Sequence, residues 1–369
     1  MLRKVYLMCK TLFGSVTCFW LLALLAVMLG ATTAEAQPFA YVANSSSNTV
    51  SVIDTATNTV IATILVGINP LGVAITPNGA FAYVTNFNSD TVSVISTATN
   101  TVVATIPDAI GPYGVTITPN GAFAYVTNDI SNDVSVIDTA TNTVVTTVPV
   151  GPQPQSAAIT PNGAFAYVTN ANSNNVSVID TATNTVVATV PVGTIPQAVT
   201  ITPNGAFAYV ANYYSFDVSV IDTAINTVVA TVPVGIGPSY LAVTPNGAFV
   251  YVPNGQSSTV SVIDTTTNTV VATIPDASVP VTVAFTPDGA FAYVTLQLSN
   301  AVSVIDTTTN AVVATIPVGL FPYGIAITPN ASPTDKNQCK QGGYRNFTNP
   351  TFRNQGQCVS FIESHSHQH

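Results

Sequence analysis

A closed, seven-bladed β-propeller of four-stranded antiparallel blades is the all-β fold this sequence predicts. Three observations carry the prediction. A 42-residue unit recurs without a single insertion, each unit reads as four short strands, and the first and last units are incomplete in complementary ways. The element FAYV begins at Phe39, Phe81, Phe123, Phe165, Phe207, Phe249 (as FVYV) and Phe291. TPNG begins at Thr76, Thr118, Thr160, Thr202 and Thr244, with TPDG at Thr286 and TPNA at Thr328. VSVID closes at Asp54, Asp138, Asp180, Asp222, Asp264 and Asp306, with Ser96 in the second copy.

Within one unit, residues 72–76 form the first strand, 81–86 the second, 92–96 the third and 102–106 the fourth. These segments are rich in Val, Ile, Thr, Tyr and Phe, the residues that pleated structure favours. Pro77-Asn78-Gly79 makes the turn between the first two: Pro presets φ and Gly takes the left-handed position. The stretch TATNT at 97–101 makes the turn before the fourth strand. The Asp that ends VSVID is expected to cap that turn through an Asx hydrogen bond. The Asn of the second strand is expected to satisfy backbone groups at the strand end. A solenoid is the rival architecture, but neither end carries a polar capping unit. The repeats begin at a second strand (Phe39) and end after a first strand (324–328). The C-terminal strand can therefore complete the blade begun by residues 39–66 and remove two exposed sheet edges.

The flanks read differently. Arg3, Lys4 and Lys10 precede an apolar run from Leu12 to Leu29, and Ala34-Glu35-Ala36 fits an A-x-A cleavage site. Residues 1–36 are thus expected to be a signal peptide, with an uncleaved N-terminal anchor as the alternative, and the protein is expected to be exported to the periplasm, cell surface or medium. Residues 37–330 are the propeller, and 331–369 form a short tail. In an exported chain Cys339 and Cys358 are expected to pair as a disulfide, a metal site being the alternative. His365, His367 and His369 read as a frayed terminus or a loose metal-binding tract.

Charge excludes several classes of function. Between positions 37 and 330 there are thirteen Asp and no Glu, Lys, Arg, His or Cys. A segment of formal charge −13 has no cation to set against a phosphate backbone, so no nucleic acid is expected as a partner, nor an anionic membrane surface. A Ser or Thr nucleophile would have no His or Lys base.

YVTN at Tyr83, Tyr125 and Tyr167, YVAN at Tyr41 and Tyr209, and YVPN at Tyr251, together with VSVIDT and VVATIPVG, resemble the YVTN-repeat (YncE-like) β-propellers. The resemblance implies a seven-bladed propeller of the kind found in exported bacterial and archaeal surface-layer proteins. The seventh copy departs from it with Leu296 in place of Asn. A looser similarity to seven-bladed lactonases implies carboxylates, Arg and His in a site; here only Asp could be carried over. The expected function is accordingly a non-catalytic binding or structural module without a cofactor, monomeric, its partner a protein or an envelope glycan or polymer. A lactonase-like enzyme and passive envelope architecture are the alternatives.

Almost all variation between copies falls in the loops after YVTN and after VVATIPVG, which emerge on one face. An asymmetric partner is read by asymmetric residues, so this face is the expected binding surface. Tyr213, Tyr214, Phe216 and Tyr240 are expected to form one aromatic patch, and Leu296, Leu298, Phe321 and Tyr323 a second. Asp108, Asp129 and Asp133 lie in loops of the same face and are a candidate Ca²⁺ site, with three solvated surface acids as the alternative.

Overall fold

Seven antiparallel sheets of four strands each account for all the described strands. The computed structural model describes residues 38–276 and 278–330. The expected signal segment and the tail with Cys339 and Cys358 lie outside the described residues.

Blade 2 is typical: its strands are Pro70–Ile75, Phe81–Asn86, Thr91–Ser96 and Thr101–Pro107. The first strand begins two residues before the expected position, because a proline is tolerated at a strand's opening residue, where its missing N–H breaks no ladder. First strands of adjacent blades approach one another and line the central channel, while fourth strands lie outermost. Blade 1 is composite. Strands Phe39–Asn44, Thr49–Asp54 and Thr59–Leu65 are joined by Pro322–Ile327, with Ala40 opposite Ile327 and Val42 opposite Ile325. The expected closure is therefore present.

The core lies between blades. In blade 1, Ala40, Val42 and Ile53 pack against Tyr293, Val302, Val304 and Ile316 of blade 7. Each repeat tyrosine is buried and reaches the next blade. The Tyr41 hydroxyl donates to Asn100 Oδ1 at 2.6 Å, Tyr125 to Asn184 at 2.7 Å, and Tyr293 to Asn58 at 2.5 Å across the closure. These asparagines sit at positive φ, 53° at Asn100 and 54° at Asn58, which a short polar side chain tolerates. Burial pushes the hydroxyl of every repeat tyrosine up to about 12, so the staples stay protonated at any ordinary pH.

The turns follow the sequence reading. Asp138 Oδ1 accepts from the N–H groups of Ala140 and Thr141 at 2.9 and 3.0 Å, the expected Asx cap. In TPNG the Gly79 N–H donates to Thr76 O at 2.8 Å, and Gly79 has φ +73°. The second-strand asparagine differs from expectation. Asn86 Nδ2 donates to Thr91 Oγ1 at 3.1 Å and Ser93 Oγ at 3.0 Å, so it bonds side chains rather than backbone. Asn128 Nδ2 does the same with Asp133 Oδ1 (2.7 Å) and Ser135 Oγ (2.9 Å).

Candidate functional site

The first strand of blade 6 breaks the pattern, and the break builds the site. The second residue after the opening proline is Gly72, Gly114 or Gly324 in three blades, and Ser156, Ala198 or Thr282 in three others. A Cβ at Gly72 would sit 2.7 Å from Tyr113 O, and one at Gly114 2.6 Å from Gln155 O. Blade 6 places Tyr240 at this crowded point. The strand shrinks to Ala242–Val243, and the displaced backbone pairs in parallel with blade 7. Tyr240 N–H donates to Val281 O at 2.9 Å, Val283 N–H to Tyr240 O at 3.3 Å, and Ser239 Oγ to Val281 O at 2.6 Å.

The Tyr240 ring consequently turns into the channel. It meets Tyr323 at a centroid distance of 5.7 Å and 71°, and Tyr323 meets Tyr113 at 5.9 Å and 85°. Phe87 stands edge-on to Tyr113 at 5.9 Å. The hydroxyls of Tyr113 and Tyr323 hydrogen-bond each other, and Tyr240 OH reaches Gln155 O at 3.4 Å. Burial pushes Tyr323 up to about 12 and holds Tyr113 and Tyr240 well above the ordinary phenol value. Three neutral phenols thus meet where the first strands converge, as an aromatic plug in the channel.

Beside this plug a cavity of about 590 Å³ opens between blades 5, 6 and 7. Gln197, Gln256, Gln297, Tyr213, Ser239 and Tyr323 supply its polar lining. Gln256 Nε2 donates to Tyr213 OH at 2.8 Å, and Tyr213 packs on Tyr214 at 5.1 Å and 66°. No carboxylate is among the lining residues. A smaller cavity of about 90 Å³ lies against the plug, with Leu71, Val73, Val115 and Ile325 among its walls.

The predicted residues are thereby redistributed. Tyr213 and Tyr214 do meet, Tyr214 is 59% exposed, and Phe216 is exposed with φ +58°. Tyr240 leaves that group for the channel plug. Tyr323 likewise joins the plug, whereas Leu298 and Phe321 remain exposed on loops. Leu296 is 0% exposed and belongs to the core between blades 6 and 7, so it is not a surface residue. It fills the slot of the buried asparagine, with Ala301 replacing that amide's partner. Ser303 donates instead to Asp276 Oδ2 at 2.6 Å.

The three acids of the candidate Ca²⁺ site are differently engaged. Asp129 is buried and accepts from Gln155 Nε2; burial raises its carboxyl above the ordinary value, and the Gln155 bond partly offsets this. Asp133 accepts from Asn128 and Ser131. Asp108 accepts from Ala109 N–H at 2.8 Å, and burial raises its carboxyl. Among the described residues no three His, Cys, Asp or Glu side chains gather as a metal-holding group.

What sequence reasoning missed is the glutamines. Beyond Gln37 the propeller has five (Gln153, Gln155, Gln197, Gln256 and Gln297), none at a position the repeat fixes. Three line the cavity, and the Gln155 amide donates to Asp129 while its backbone carbonyl accepts from Tyr240 OH. The tyrosines outside the repeat, Tyr113, Tyr213, Tyr214, Tyr240 and Tyr323, gather at the same mouth.

Solved structures share the fold. A chain of Kuenenia stuttgartiensis hydrazine synthase is 26% identical at TM-score 0.67, covering 72% of this chain and 92% of its own. A functionally unknown protein from Desulfotomaculum acetoxidans is 22% identical at TM-score 0.70, with 78% and 98% covered. A Bacteroides uniformis propeller provisionally assigned as a 6-phosphogluconolactonase is 17% identical at TM-score 0.68, with 79% and 99% covered. Among curated proteins none matches the chain. The YNCE-like beta-propeller model matches residues 8–333, which takes in the whole repeat-bearing length, and with the seven blades and their closure in view the chain belongs to the YNCE-like β-propeller family.

Proposed function

We propose that the protein is an exported, non-catalytic binding module whose partner docks at the variable-loop mouth of the channel. One observation carries this reading: the residues that depart from the repeat converge there, around a cavity of about 590 Å³. That size falls within the range of small-ligand sites, roughly 300–1,000 Å³. The lining is aromatic and amide, which suits recognition. It lacks a nucleophile paired with a base, which acyl transfer requires.

A catalytic alternative rests on Asp129, the buried carboxylate beside the plug. It would have to work with tyrosine or another aspartate, since the propeller has no His, Glu, Lys, Arg or Cys.

The two faces supply the test. Glycan and peptide arrays are probed with the parent, with a Tyr213→Ser/Tyr214→Ser variant, and with a variant changed at Asn120 and Asn162 in the TPNG turns. Loss of binding of about tenfold or more is expected for the mouth variant alone. Loss only in the turn variant would reverse the assignment of the working face.

A further inference from the structure

Building on the mouth as the binding face, we infer that its cavity takes a neutral saccharide. The argument is one of matching groups. Gln197 and Gln297 each present two donors and an acceptor; Gln256 keeps one donor and its acceptor beside its bond to Tyr213, Tyr213 keeps its hydroxyl proton, and Ser239, whose proton goes to Val281 O, keeps acceptor capacity. Sugar hydroxyls need that mixture.

Other ligand chemistries fit less well. An anionic ligand meets no cation anywhere in the propeller and thirteen carboxylates around it. A cationic ligand meets no carboxylate in the cavity lining. A wholly apolar ligand would strip water from three amides and leave them unsatisfied. An extended peptide needs a free backbone edge, and the edge beside the cavity is taken: Val281 O already accepts from Tyr240 N–H and Ser239 Oγ.

The aromatic component is positioned as well. Gln256 fixes the Tyr213 hydroxyl at 2.8 Å, and Tyr214 braces the ring edge-on at 5.1 Å. A held tyrosine at the cavity wall offers an apolar face to the C–H side of a pyranose at small entropic cost, with its hydroxyl free to bond further.

The experiment is calorimetric titration of the full chain with cellotriose, laminaritriose and chitotriose, and with trigalacturonate as the anionic counterpart. At least one neutral trisaccharide is expected to bind with one site per chain, with little dependence on salt. Gln256→Ala/Gln297→Ala is expected to weaken it by about tenfold or more, each lost amide pair being worth about 1 kcal/mol. An unchanged melting curve would show that the double variant folds; should it melt early, Gln297→Ala alone provides the second probe, with a loss of about fivefold expected. Trigalacturonate binding as tightly as the neutral sugars, no neutral sugar binding, or binding indifferent to the glutamine changes would each overturn the inference. A neutral peptide bound through Gln256 and Gln297 would overturn the saccharide and leave the mouth standing as the binding face. Saccharide binding lost only on changing the TPNG turns would overturn both.

Discussion

The two faces of the propeller obey opposite rules. On the turn face, the TPNG and DTATNT segments repeat almost unchanged, and the same bonds recur blade after blade: Asp180 Oδ1 to the N–H of Thr183 at 3.0 Å, Asp306 Oδ1 to that of Thr309 at 2.9 Å. On the mouth face every loop differs, and the differing residues meet one another. The contrast teaches that in a repeat protein the regular residues report the scaffold and the exceptions report the site. Tyr167 and Tyr240 are the same residue type under the two rules. One is a staple to the neighbouring blade, bonded to Asn226 at 2.6 Å. The other sits where the repeat needs a small residue; there the strand shrinks to Ala242–Val243 and its opening bonds to the next blade.

Truncating one tyrosine from each region should give the widest separation. Tyr167→Ala removes a fully buried ring and its bond to Asn226, and is expected to cost about 3–5 kcal/mol in denaturant unfolding. Tyr214→Ala, at an exposed mouth position, should change stability by no more than about 0.5 kcal/mol. Equal losses would mean that the mouth is part of the scaffold.

A smaller effect tests the one blade that abandons the buried asparagine. Leu296→Asn puts an amide into an apolar slot whose partner position holds Ala301, at an expected cost of about 2 kcal/mol. Adding Ala301→Thr restores the acceptor and should recover about 1 kcal/mol, read as a coupling in a double-mutant cycle. Additive losses would break the link between the two substitutions.

The subtlest contrast is in pH dependence. The Asp108 carboxyl, on the mouth side, is raised by burial, so its folded value exceeds its unfolded one. Its contribution to stability is fully present below the ordinary carboxylate range and is lost as pH rises through the raised value. Asp108→Asn should therefore be more stable than the parent at neutral pH, with the gap closing in acid. Asp306, in a turn, is lowered by the Thr309 N–H bond, so its contribution is present above the ordinary range and lost as pH falls through the lowered value. Asp306→Asn should show the opposite sign. Urea midpoints across pH measure both, and matching signs would contradict the assignment of the two aspartates.

Much of this was readable from the chain. Blade number, strand order and closure follow from an exact period, since each strand is set by its own residues and the turn beside it. The caps were readable for the same reason: Asp and its N–H partners are two or three positions apart. The plug was not. Tyr113, Tyr240 and Tyr323 lie in blades far apart in sequence and meet only because first strands converge on an axis. Tyr240 carried a local signal, a large ring where other copies have Gly, Ala, Ser or Thr, but its consequence depends on how closely neighbouring backbones pass. Leu296 misled because it borders a variable loop; its paired signal was Ala301, five residues on, where an acceptor stands in most other copies.

The closure of blade 1 also sets an order of events. On one side Ala40 pairs with Ile53 of the next strand, but on its inner side its partner is Ile327, almost the full length of the propeller later. Contacts of such sequence separation form late, because the entropy of bringing distant segments together comes before any gain from pairing them. The blade begun at the N-terminal end is thus the one whose inner strand comes last in the sequence. A chain in which residues 322–327 are not seated presents two free sheet edges, which are templates for pairing with another copy.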